Sequence, residues 1–191
     1  MTKQKKIKVQ DLSLDEVTNS IDYLEKAYYF IQQTEKEKNA WKWVMLSLHG
    51  ALYGFAICAC RGSSNRLVTK KDSEDLISIR KALEYCRDKD IMGRFVHSKP
   101  LILTEQQEES IERLIDEFRN RFIHFMPTLR SIELHDLPKV SLDILDAIRF
   151  LALETGNILC QRKNKTRRIK SLIFQSRKIL KKMSLYTESL N

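Results

Sequence analysis

Apolar residues recur along this chain at intervals of three and four. Behind Ser13-Leu-Asp-Glu16, which has the form of a capping box, Val17, Ile21, Leu24, Tyr28 and Ile31 follow the spacing i, i+4, i+7, i+11, i+14 and predict an amphipathic first helix. A second helix is expected from about Glu37 to Cys60, ended by the turn-forming cluster Arg61-Gly-Ser-Ser-Asn65. The third is expected to start near Asp72-Ser73, with acids in its first turn and Leu76, Ile79, Leu83 and Cys86 on one stripe, followed by a loop through Gly93 to Pro100. Thr104-Glu-Gln-Gln107 is another capping box, and Ile111, Leu114, Ile115, Phe118 and Phe122 carry a fourth helix on until Pro127 stops it. Irregular chain is expected between Pro127 and Pro138, after which Ser141 caps a fifth helix with Ile144, Ile148, Leu151 and Ile158 inward. A sixth, at about 163–185, docks through Ile169, Leu172, Ile173, Leu180 and Met183 and turns its Arg and Lys outward. No internal repeat or low-complexity tract interrupts this succession.

Composition narrows the class. The 191 residues suit one domain over 1–191, and 42% hydrophobic content supplies a core. Five glycines and three prolines are too few for a β-sandwich, a barrel or a Gly-looped nucleotide fold, which leaves an all-α bundle of about six helices. The net charge of +9 is local: Thr155 to Thr187 holds ten basic residues and no acid. Such a patch attracts polyanions, making nucleic acid or an acidic membrane a natural partner, and a merely solvated helix face is the competing reading.

The second helix contains 18 uncharged residues from Trp43 to Cys60, enough in length for a membrane span. Ser47, His49, Gly50 and Gly54 within it favour a central helix buried on all sides. On that reading Trp41, Trp43, Tyr53 and Phe55 are core residues and His49 is a hydrogen-bonded core histidine. Cys58, Cys60, Cys86 and Cys160 form no CxxC pair and read as buried, reduced thiols rather than a disulfide frame or zinc site. The N-terminus has charge but no apolar stretch behind it, so a cytosolic protein without a membrane partner is expected.

Phosphate-binding glycine loops, HExxH and GxSxG are all absent from the sequence. The histidines are His49, His97, His124 and His135, and an acid or base working near neutral pH is most easily one of them. Phe118-Arg-Asn-Arg-Phe-Ile-His-Phe125 sets Arg119, Asn120 and His124 at the end of a helix. This resembles the R-N-x-x-x-H form of the motif of HEPN domains, and Trp41 to Gly54 is similar to the second helix of bacterial HEPN-like proteins of the abortive-infection type. The likeness covers about Glu37 to His124. It implies a compact antiparallel helical bundle, metal-independent RNA cleavage without a cofactor, and two protomers meeting at their motifs. Arg130-Ser-Ile-Glu-Leu-His135 fits the same spacing, but it lies between prolines and lacks the Asn.

On a straight helix of about 100° per residue, with Ile111 as zero, the apolar positions fill a wedge of about 100°, and Asn120 and His124 lie at about 180° and 220°. Arg119 is about 140° from His124, so a joint site requires unwinding near Pro127 or a second copy. The resemblance thus implies an endoribonuclease, of the toxin or phage-defence kind. In it His124 moves the proton, Arg119 stabilises phosphoryl charge, Asn120 holds or orients, and Arg167, Arg168, Lys170, Arg177 and Lys178 hold the RNA backbone, with a homodimer and a cognate antitoxin as partners. A non-catalytic HEPN-like binding module, and a helical nucleic-acid-binding protein in which only the basic helix matters, stand as alternatives.

Overall fold

A computed structural model describes residues 12, 14–61, 65–94, 98–123, 131–157 and 163–188. Its helices are α1 (Glu16–Ile31), α2 (Ala40–Arg61), α3 (Ile79–Arg87), α4 (Lys89–Met92), α5 (Glu105–Glu112), α6 (Arg119–Ile123), α7 (Leu137–Leu153), α8 (Lys163–Leu180) and α9 (Ser184–Glu188). A π-helical segment, Arg113–Phe118, joins α5 to α6 without a break. The six helices read from the pattern are therefore present, and the chain is an all-α bundle. Among the described residues, extended pairing is confined to the isolated bridge Thr69–Leu76.

The centre of the bundle is α2. By length and composition alone it passes for a membrane span, yet 67% of its most apolar window is buried inside the protein. Leu48, Ala51, Leu52, Phe55 and Ala56 are fully enclosed, so its apolar surface is spent on neighbouring helices. It packs antiparallel to α1, as the pairs Phe30–Trp43, Tyr23–Gly50, Ser20–Gly54 and Glu16–Arg61 show. The two glycines set the separation. A Cβ at Gly54 would stand 2.1 Å from the Ser20 hydroxyl, and one at Gly50 would stand 2.6 Å from the Tyr23 ring. Only backbone fits there, and α1 closes onto it.

The other helices enclose this pair. Helix α8 runs parallel to α1, tied by Lys165–Asp15, Arg168–Glu25 and the Tyr28 hydroxyl donating to Gln175 at 2.8 Å. The α5–α6 run lies against α7, where Ser110 donates to Asp143 at 2.7 Å and Arg113 reaches Asp136 at 3.3 Å. Helix α3 grips the same run from outside: Arg80 bonds Glu112 at 2.5 Å and Asp116 at 2.6 Å, and Arg87 pairs with Glu108.

Several boundaries differ from the sequence reading. Asp15 caps α1, accepting from the Thr18 backbone N–H at 2.6 Å. The third helix starts at Ile79 under a Ser78 cap, not near Asp72, because the Thr69–Leu76 bridge holds residues 68–77 in a tight loop. Asp72 sits in the left-handed region there, at φ 56°, which a helix does not allow. The fifth helix begins at Leu137 with Pro138 in its first turn, and Ser141 lies inside it, buried and bonded to the Leu137 carbonyl. The Thr104–Gln107 capping box is present in both directions, at 3.2 and 3.1 Å. Cys60 and Cys86 are buried free thiols, and Cys58 is half-buried.

Candidate functional site

The motif helix is not a straight α-helix, and this decides where its side chains point. In the Arg113–Phe118 segment the hydrogen bonds skip one more residue than an α-helix allows, as where the Arg119 N–H donates to the Leu114 carbonyl. Such a turn acts as a one-residue insertion, so everything after it lags an ideal helix by one step of about 100°. Arg119 and Ile123 would stand at about 80° and 120° from Ile111 on a straight helix, and the lag brings each to within about 20° of it. Phe122 moves out of the core wedge and is only half-buried, while Arg119 and Ile123 turn toward α2. The straight-helix geometry expected from the sequence is corrected accordingly. Among the described residues the irregularity falls before the motif; Pro127 lies outside them.

Arg119 and Ile123 border a cavity of about 930 Å³ between α1, α2 and α6. The Arg119 guanidinium donates to the Asn120 side-chain amide oxygen at 2.9 Å; Arg119 lines the cavity and Asn120 is exposed beside it. From α2, His49 enters the same cavity. It is half-buried, and its pKa falls to about 4, first because burial disfavours the imidazolium and second because the Arg119 charge repels it. His49 is consequently neutral near pH 7, with one ring nitrogen to donate and one to accept. The core role expected for it is corrected in part: it lies on α2 as read, but it faces open volume. Trp43 departs further. Trp41 and Phe55 are core, whereas Trp43 is 47% exposed and forms part of the cavity wall.

His124, and with it the spacing from Arg119, lies outside the described residues, as do His97, Arg130 and Cys160. His135 is described. It is held by Asp136 at 2.6 Å and Glu133 at 3.6 Å ahead of α7 and does not line the cavity. Among the described residues, no group of three or more His, Cys, Asp or Glu is placed to hold a metal.

Helix α8 docks by the expected stripe, with Ile169, Leu172, Ile173, Leu180 and Met183 buried. Its cations divide. Arg167, Lys170 and Lys178 are exposed, Arg168 is exposed but paired with Glu25, and Arg177 is half-buried against Asp146. The outward orientation expected for all five fails at Arg177, since the Asp146 carboxylate on α7 draws it inward.

Sequence reasoning passed over Tyr23 and Tyr29, which lie off the apolar stripe of α1 and line the cavity at 40% and 55% exposure. The available signal was the pair Gly50 and Gly54, whose i, i+4 spacing marks a close helix approach beside His49. The chain matches no family model, no curated protein and no solved structure.

Proposed function

We propose that this protein is an endoribonuclease of HEPN type that cleaves RNA without a metal. What supports this reading is Arg119, hydrogen-bonded to the adjacent Asn120 and lining a concave site that also holds an imidazole. The RNA 2′-hydroxyl attacks the adjacent phosphorus as its proton passes to a base. The bond to the 5′-oxygen breaks, that oxygen receives a proton, and a 2′,3′-cyclic phosphate and a 5′-hydroxyl result. In this scheme Arg119 neutralises charge on the phosphoryl oxygens, Asn120 orients that guanidinium and the phosphate, and His124 transfers the proton. His49 serves as a neutral hydrogen-bonding group, since a pKa of about 4 leaves it a weak base at neutral pH.

The same proposal covers a toxin or phage-defence role, a homodimer pairing two motifs, and a restraining antitoxin. A non-catalytic binding module is the second reading, favoured by the exposed apolar rim of Tyr29, Trp43, Leu76 and Ile123. Purified protein incubated with mixed RNA and chelator separates the two. Cleavage leaving cyclic phosphate ends, slowed about 10²- to 10⁴-fold by His124→Ala and unaffected by His135→Ala, supports the nuclease. Intact RNA leaves the binding module in its place.

A further inference from the structure

We propose that the cavity between α1, α2 and α6 is a nucleobase pocket: a base stacks against Tyr29 and Trp43 while its phosphate reaches Arg119 and its edge meets His49. This rests on the RNA reading above and specifies which part of the RNA the site grips.

Three observations carry it. The first is shape, since about 930 Å³ lies within the range of small-molecule sites and accommodates a nucleotide. The second is the wall. Three large aromatic side chains, Tyr23, Tyr29 and Trp43, keep 40%, 55% and 47% of their surface exposed around one hollow. Their rings are also held in place: Phe30 stacks on Trp43 at 5.9 Å and 24°, and meets Tyr29 edge-on at 5.1 Å. Trp43 keeps this exposure although Phe30 stacks on it and the Lys42 ammonium lies 5.0 Å from its ring centre, and a fixed, partly open aromatic surface suits a flat heteroaromatic ring of any base identity.

The third observation is the set of polar groups around that surface. Arg119 supplies the cation a phosphate requires. His49 adds a neutral donor and acceptor, while Asn19 and Asp22 line the α1 side and present further partners for a base edge. A purely apolar occupant would leave these groups facing hydrocarbon, and a free anion would leave the aromatic wall wet. A nucleotide satisfies both halves.

The test titrates the whole protein with the four ribonucleoside 5′-monophosphates and with inorganic phosphate while following tryptophan fluorescence. Trp41 is 2% exposed, so quenching by a stacked base reports Trp43. Saturable quenching by at least one nucleotide, and none by phosphate alone, is expected. Tyr29→Ala, and Trp43→Ala followed by equilibrium dialysis, should each weaken binding about 5- to 150-fold, the range that stacking of one base on one ring supplies. Both rings are exposed, so the variants should keep the wild-type circular dichroism. Arg119→Ala should weaken the nucleotides and leave the nucleosides unchanged.

No quenching at millimolar nucleotide overturns the proposal, as does unchanged affinity in both aromatic variants. Trp43 covered by a second copy of the chain that nucleotides do not displace overturns it too. RNA cleavage run in parallel keeps the two readings apart. Cleavage without nucleotide binding removes the pocket alone, whereas nucleotide binding without cleavage supports the pocket and removes the nuclease.

Discussion

Two regions of this molecule carry the features that attract attention in the sequence, and they are built in opposite ways. Helix α8 has a dense run of cations on a convex surface, where Glu25 and Asp146 occupy two of its arginines and water surrounds most of the others. The cavity beside α6 is concave, with Arg119 as its one arginine among the described residues. There aromatic side chains form the wall, and partial burial together with the Arg119 charge discharges the imidazole of His49. Electrostatic interactions strengthen as water is removed, so a single guanidinium in a hollow can do more chemistry than several on a solvated face. Charge density locates a surface that polyanions approach. Concavity locates where something is held.

The largest effect expected from this contrast is on catalysis. Arg119→Ala should slow RNA cleavage about 10²- to 10³-fold. Replacing Arg167, Lys170 and Lys178 together by Gln should leave the turnover of bound RNA near wild type and lower the salt slope of binding by about one unit for each phosphate no longer neutralised. Single-turnover kinetics at saturating protein, with filter binding across a salt series, measure both. The opposite pattern would move the functional centre to α8.

Next in size is the packing beneath the cavity. Gly54→Ala places a methyl group on the Ser20 hydroxyl and should lower stability by about 1–3 kcal/mol in urea melts. Adding Ser20→Ala should recover part of that, because the clashing oxygen is gone. Phe174→Ala on α8, where the ring is 68% exposed, should stay within about 0.5 kcal/mol of wild type. Equal losses at the two sites would mean that the α1–α2 seam is no tighter than the outer face.

A smaller effect concerns pH. His49 has a folded pKa of about 4 against 6.5 for the free side chain, so the unfolded chain takes up a proton before the folded one does. The stability this confers is complete above about pH 6.5 and is lost as pH falls toward 4. The slope should stay below the ~1.4 kcal/mol per pH unit of one whole proton, because the imidazole opens onto solvent. Arg119 faces it from α6 and adds to the effect, while Glu16, Asp22 and Lys26 line the α1 side. His49→Gln should flatten the curve in this window, and an unchanged slope would assign the pH dependence to other groups.

The smallest effect sharpens the account of α8 itself. Arg177→Ala leaves the half-buried Asp146 carboxylate with only the longer Arg149 contact at 3.8 Å and should cost about 1 kcal/mol, whereas Arg168→Ala removes an exposed pair and should cost less than about 0.5. Thermal melts of the two variants compare them directly. If Arg168 matters as much as Arg177, the helix is fastened by its outer charges as well as by its apolar stripe.

Where periodicity and burial coincide, the fold was legible residue by residue. The stripes of α1 and α8 and the Thr104–Gln107 box all lie where their spacing puts them, because each is a local consequence of helical repeat and capping. The start of α3 was not, since acids and a Leu at helical spacing say nothing of the Thr69–Leu76 bridge that pulls this stretch into a loop. The pattern singled out Arg119 and Asn120 as candidates, but their direction was not legible, because a π turn leaves no periodic trace in six residues. The role of Trp43 depended on which side of α2 the other helices leave uncovered. That is a property of the assembled bundle, and no window of sequence contains it.

The π turn also has a meaning for the history of such a chain. A helix is read in space much as a message is read in frame, and Arg113–Phe118 holds one residue more than the α frame accommodates. Deleting a single residue there restores the frame. It turns Phe122 back to the core and Arg119 away from His49, while every letter of Arg119 to His124 is unchanged. Two chains with the same short motif can therefore differ in whether it faces a cavity or open water, and the count of residues upstream makes the difference.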